Sequence, residues 1–185
     1  MNIKNFFVGR AIGFLVVGLI VLGWWMWTKT STEVPVVVTN FQECVEAGNP
    51  VMESYPRQCR HDGETFTEFV GNEVEKLDLI RLENPRPNQT ISSPTVVTGE
   101  ARGYWYFEAT FPIVVVDWDG RIVGEGYAEA QSEWMTEDFV PFTAEITWTL
   151  PEEIYSKRGS LILQKSNASG LPEHDDALEI PIVFE

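Results

Sequence analysis

The stretch "PFTAEITWTL" restricts most strongly what this chain can fold into. Phe142, Ala144, Ile146, Trp148 and Leu150 fall on one phase, and Thr143, Glu145, Thr147 and Thr149 on the other. A period of two sends successive side chains to opposite faces of a pleated strand, so the segment predicts a strand with one buried and one wet face. "LEIPIVF" repeats the pattern, with Leu178, Ile180, Ile182 and Phe184 inward. Pro181 lies on the outward phase, which suits an edge or a bulge because proline has no N–H to give a ladder.

"FPIVVVDWDGRIVGEGYAEAQ" predicts two further strands joined at Trp118–Arg121, with Asp119-Gly120 supplying the turn. "TVVTGEA", "SLILQKS" and a first strand over Leu79–Leu82 complete the set. Six or seven short strands within residues 78–185, without a convincing helix, predict an all-β chain folded as an immunoglobulin-like β-sandwich of about seven strands. No cysteine lies in that stretch, so its core must rest on apolar packing.

The N-terminus reads "MNIKNFFVGRAIGFLVVGLIVLGWWMWTKT", with no charge from Ala11 to Trp27. At the helical rise this run covers roughly 25 Å, and about 33 Å when Phe6–Arg10 is included and the Arg10 guanidinium reaches to the headgroups. Trp24, Trp25 and Trp27 cluster at its far end, as interfacial aromatics do. Lys4 and Arg10 precede the run and Lys29 follows it, so the positive-inside bias places the N-terminus in the cytoplasm and the rest outside. A cleaved signal peptide would need small residues after the apolar run, where this chain has tryptophans. The expected organisation is a cytoplasmic tip and transmembrane helix over 1–29, a linker over 30–40, a small two-cysteine module over 41–72, and the sandwich over 78–185.

On the outer side of a membrane, Cys44 and Cys59 predict a disulfide. Closing a loop of that length is worth roughly 3 kcal/mol in the chain-entropy model, which matters to a module too small to hold a large core. Asp62-Gly63 sits between "RQCRH" and "ETFTEF", a hairpin signal with Thr65, Phe66 and Phe69 in its second arm. The module is therefore expected to be a disulfide-pinned hairpin. A zinc site would have only Cys44, Cys59 and His61 nearby, without ligand-pair spacing, and a Cys59–His61 catalytic pair would lack a third, orienting group.

Beyond residue 29 the chain carries 10 Lys and Arg against 28 Asp and Glu, a formal charge of −18. A field of that sign repels nucleic acid and anionic headgroups. His61 and His174 are the only histidines, and no nucleophile elbow, paired-histidine zinc motif or phosphate loop surrounds them. The expectation is a protein that is not an enzyme, with no catalytic residues, no metal and no cofactor. "LPEHDDALE" offers Glu173, Asp175, Asp176 and Glu179 as oxygen ligands, but it lacks the spacing and the sixth-position glycine of a calcium loop.

The segments "ISSPTVVTGEARGYW", "EWMTEDFVPFTAEITW", "KSNASGLPE" and "ALEIPIVF" occur in the order found in the immunoglobulin-like domain of bacterial spore germination, the Gmad family, which residues 78–185 resemble. "WMTEDFVPF" is the most specific element of the resemblance. "CVEAGNPVMESYPRQC" is similar to a module that precedes such domains in small bacterial envelope proteins. The resemblance implies a bacterial, extracytoplasmic, non-enzymatic module, and it carries over no catalytic residue. The function expected is a single-pass protein of the bacterial plasma membrane that binds or scaffolds, presenting its domain to an envelope protein. The alternative is a module that binds glycan or peptidoglycan of the cell wall. Trp105 and Trp134 are the candidate ligand contacts; Trp148, on the buried phase, is expected in the core.

Overall fold

The computed structural model describes residues 37–185. The expected cytoplasmic tip and transmembrane helix, with most of the linker, lie outside the described residues. Among the described residues no helix is long and apolar enough to cross a membrane. Thr39–Glu185 form one compact unit.

The two-cysteine region begins with a helix that the hairpin expectation did not contain. Asn40 caps α1 (Phe41–Glu46) by accepting from the Glu43 amide at 2.9 Å, while the Glu43 carboxylate reaches back to the Thr39 amide at 2.8 Å. Such reciprocal bonds satisfy amides that the first turn leaves open. Three short strands follow, β1 (Val51–Met52), β2 (Gln58–His61) and β3 (Glu64–Thr67), paired antiparallel in chain order. Asp62 and Gly63 form the two-residue loop between β2 and β3, with φ of 47° and 88°, the left-handed pair that a type I′ hairpin requires. The Cys44–Cys59 disulfide ties α1 to β2 across a sequence separation of 15, and both cysteines are fully buried. Phe69 is not in the second arm: β3 ends at Thr67, and Phe69 stands exposed beyond it.

A one-turn helix, α2 (Glu73–Lys76), leads into the larger sheet structure. Its strands are β4 (Ile80–Asn84), β5 (Thr90–Ile91), β6 (Thr95–Arg102), β7 (Thr110–Asp117), β8 (Ile122–Ala130), β9 (Phe139–Ile146), β10 (Arg158–Gln164) and β11 (Ala177–Phe184). The pairing order is β4-β6-β9-β8-β7-β10-β11-β5. β8 pairs with β7 along most of its length but with β9 only through Glu129 and Ala130. The ladder folds over there into two layers, β4-β6-β9 against β8-β7-β10-β11-β5. One apolar core fills the space between, with Val97, Phe142 and Ile146 from the first layer and Ile113, Leu161 and Ile180 from the second. Phe111 meets Phe142 edge-on at 5.0 Å, and Trp148 meets Phe184 at 4.7 Å, each ring reaching across the layers.

Within the sandwich, the strand that sequence periodicity missed is β5. It runs parallel to β11 at that strand's end, so the first part of the sandwich starts in one layer at β4 and finishes on the edge of the other. Pro181 sits on the β11 side that faces this edge, where its missing N–H removes nothing from the β10 ladder. The rest of that edge is closed by side chains and loop backbone. Asn72 donates its amide to the Ala177 carbonyl at 2.9 Å and accepts from the Glu179 amide at 2.8 Å, and the Pro181 carbonyl accepts from the Asn88 amide at 2.7 Å. Lys76 on α2 pairs with Asp176 just before β11, at 2.5 Å.

Candidate ligand cleft

The segments flanking the β5–β11 edge also build a concavity of roughly 410 Å³ between the two-cysteine region and the sandwich. Its polar floor is a carboxylate–guanidinium pair. Glu68, one residue past β3, is 7% exposed, and its two carboxylate oxygens accept from Arg57 Nε at 2.7 Å and Arg57 Nη2 at 2.6 Å. Asn88 Nδ2 donates to Glu68 at 3.2 Å and to the Phe69 carbonyl at 2.9 Å. Asn88 has φ of 62°, a left-handed conformation that asparagine tolerates better than most residues. The forked hydrogen bond from Arg57 outweighs burial and holds the Glu68 carboxyl below the ordinary carboxylate range, so it stays ionised at neutral pH.

The walls combine aromatic and cationic groups. Arg57 lies over the Phe41 ring at 5.4 Å, and Phe69 is 72% exposed at the rim. Arg158, at the start of β10, lines the same cleft, and no carboxylate pairs with it among the described residues. With Arg57 neutralised by Glu68, Arg158 is the group that can take a carboxylate or a polar carbonyl, while Phe41 and Phe69 offer apolar faces beside it.

Sequence reasoning named none of these residues as a site. Arg57, Glu68, Asn88 and Arg158 come from four separate segments, and no local spacing announces that they meet.

The residues that were singled out lie elsewhere. Trp105 belongs to a 3-10 turn (Gly103–Trp105) and is fully buried, so it is a core residue with no face to offer a ligand. Its indole N–H has no hydrogen-bond partner among the described residues. Trp134 is half-buried against the core. Trp148 is in the core, as its phase predicts. Asp176 is engaged by Lys76 and the Ala177 amide, and Asp175 accepts from Asn167 at 2.7 Å. Among the described residues no group of three or more His, Cys, Asp or Glu is placed to hold a metal ion. His61 Nδ1 lies 3.2 Å from Asn49 Oδ1, and its neighbour Cys59 is committed to the disulfide.

Residues 79–170, from the approach to β4 through β10, match the family described as the immunoglobulin-like domain of bacterial spore germination. No curated protein and no solved structure matches the chain.

Proposed function

We propose that the immunoglobulin-like domain of bacterial spore germination carried by residues 79–170 is held outside the bacterial plasma membrane by one N-terminal span, and presents the cleft beside it to a protein of the cell envelope. The observation that carries this reading is the family domain itself, joined to a disulfide-bonded region and preceded by an uncharged run from Ala11 to Trp27. Disulfides persist in oxidising compartments, which agrees with an extracytoplasmic location. The chain acts by binding, without chemistry of its own. The buried carboxylate of the cleft is tied to Arg57 and Asn88, which leaves it poorly placed to move a proton.

A photo-crosslinking residue at Phe69, in intact cells, tests the partner. The expected result is one reproducible envelope adduct, weakened when Arg158→Glu reverses the charge of the cleft wall. Labelling that ignores the Arg158 substitution would remove the cleft from the reading. Protease added to right-side-out cells tests the topology: the region after the apolar run should be digested without lysis. Protection until lysis would invert the orientation and remove the oxidising compartment.

A second reading, a glycan or peptidoglycan binder, is favoured by the aromatic faces of Phe41 and Phe69 beside Arg158. Isolated cell-wall sacculi should then retain the full chain, and Phe69→Ala should release it. Release by Trp134→Ala instead would place the contact at the half-buried indole.

A further inference from the structure

The end of the sandwich beside α1 also carries an exposed apolar tip. Trp118, in the β7–β8 turn, is 45% exposed; Tyr155, in the loop before β10, is 87% exposed; Ile122, the first residue of β8, is 58% exposed. The Trp118 and Tyr155 rings lie 5.1 Å apart and tilted by 49°, so the two make a joint surface, and Ile122 opens β8 opposite Val116 after the same turn. We propose that this tip docks on the surface of the membrane in which the chain is anchored, seating Trp118 and Tyr155 among the lipid headgroups. The proposal rests on the anchored topology proposed above.

Three observations point to lipid as the occupant. The first is position. Phe41 and Arg158 line one cleft, Gly159 pairs with Asp117 across β10 and β7, and Trp118 is the next residue. The tip therefore lies at the end of the sandwich beside α1, the first described element after the apolar run, although the chain enters β4 at the other end, where Ile80 pairs with Ala101. Only twelve residues separate Trp27 from Asn40, a tether of about 40 Å when fully extended. A tether that short holds the tip near the bilayer at an effective concentration on the millimolar scale, so a weak contact suffices.

The second is side-chain chemistry. Tryptophan and tyrosine pair an apolar body with a polar handle and collect at the membrane–water interface. The third is charge. Residues 117–122 and 152–158 hold three bases against four acids, and Asp117 is matched by Arg121 at 3.0 Å. These segments carry a net charge of only −1, so most of the acid excess that would repel anionic headgroups lies elsewhere on the chain. The β7–β8 turn is also pinned by hydrogen bonds. Asp117 accepts from the Asp119 amide at 3.0 Å, the Arg121 amide at 2.9 Å and Arg121 Nε at 3.0 Å, which fixes the turn that lifts Trp118 outward.

The test uses the full chain reconstituted in vesicles of phosphatidylethanolamine with a minority of phosphatidylglycerol. Because Cys44 and Cys59 are bonded to each other, Asp119→Cys or Ala168→Cys supplies a single thiol for a nitroxide, at the tip or in the β10–β11 loop at the opposite end. The ratio of collisions with oxygen to collisions with a water-soluble nickel chelate should be several-fold higher at Asp119→Cys. Adding Trp118→Ser with Tyr155→Ser should erase the difference, and Ile122→Glu should do so independently. Equal ratios at the two labels, or a difference untouched by either set of substitutions, would overturn the proposal. Flotation after alkaline extraction reports the anchor separately. A chain that floats with equal ratios loses the tip contact alone, and a chain that does not float loses both the anchor and the contact that depends on it.

Discussion

Glu68 and Glu73 are both nearly inaccessible, yet their surroundings push their protons in opposite directions. At Glu68 the forked bond from Arg57 dominates and lowers the pKa. Its stabilisation is present above the ordinary glutamate pKa and is lost as pH falls through the lower, folded value. At Glu73 burial dominates and raises the pKa, against partial compensation from Arg86 at 3.0 Å, and Oε2 has no hydrogen-bond partner among the described residues. Its effect on stability therefore runs the other way, declining as pH rises from the ordinary value toward the raised one. Denaturant unfolding of the full chain in detergent across the acid range separates the two. Glu68→Gln should flatten the acid-side loss and reduce stability at neutral pH by about 1 kcal/mol, a modest figure because Arg57 is half-exposed and can rehydrate. Glu73→Gln should cost nothing at neutral pH and remove the decline above the ordinary glutamate pKa. A loss there larger than about 1 kcal/mol would mean that the Arg86 bond outweighs the burial of the charge.

At the scale of elements, β11 is the strand whose exposed edge most needs covering, and Gly71-Asn72 covers it. A Cβ at Gly71 would lie 1.9 Å from the Glu179 carbonyl oxygen, and the residue has φ of 70°, so Gly71→Ala meets both a collision and a strained backbone. It should cost about 1–3 kcal/mol by thermal or denaturant unfolding. Asn72→Ala is milder and more specific: the Glu179 amide should lose hydrogen-exchange protection while β6 and β9 keep theirs. The bared edge should also promote concentration-dependent association, read by light scattering. Unchanged exchange at Glu179 would show that the Asn72 side chain does not cover the edge. These elements were unequally legible in sequence. β11 was placed with its inward residues correct, as were Phe142, Ala144 and Ile146 of β9, because a half-buried strand imprints its period on the chain, although β9 ends at Ile146, short of the predicted Leu150. α1 has six residues, too few for a helical period. β5 has two residues whose pairing with β11 is entirely tertiary. Trp105 was misread because "GYWYF" forms a tight turn, where a period of two has no meaning. The cleft was invisible for the same reason as β5: its charged groups are brought together only by the finished fold.

The whole molecule joins two regions held by different means. The sandwich buries a continuous apolar core from both layers and contains no cysteine. The region from α1 to β3 has few buried side chains beyond Cys44 and Cys59 themselves. Its disulfide contributes about 3 kcal/mol in the chain-entropy model, a large share of what so small a region can muster. It leans on the sandwich through the Glu68–Asn88 bond just past β3, and the segment that follows is held by Asn72 and Lys76 against β11 and its approach. Mild reduction should therefore act locally. Alkylation should label no thiol before reduction and two after it. Hydrogen exchange should then rise across α1, β2 and β3 while the strands of the sandwich stay protected. The cleft has one wall in each region, Phe41 and Arg57 on the disulfide side and Asn88 and Arg158 on the sandwich side. Loosening the first wall should disperse the site without unfolding the domain, so the crosslink from Phe69 should disappear in reduced chain although the sandwich remains intact. Persistence of that adduct after complete reduction would show that the partner is held by the sandwich alone, and would assign the disulfide a purely stabilising role.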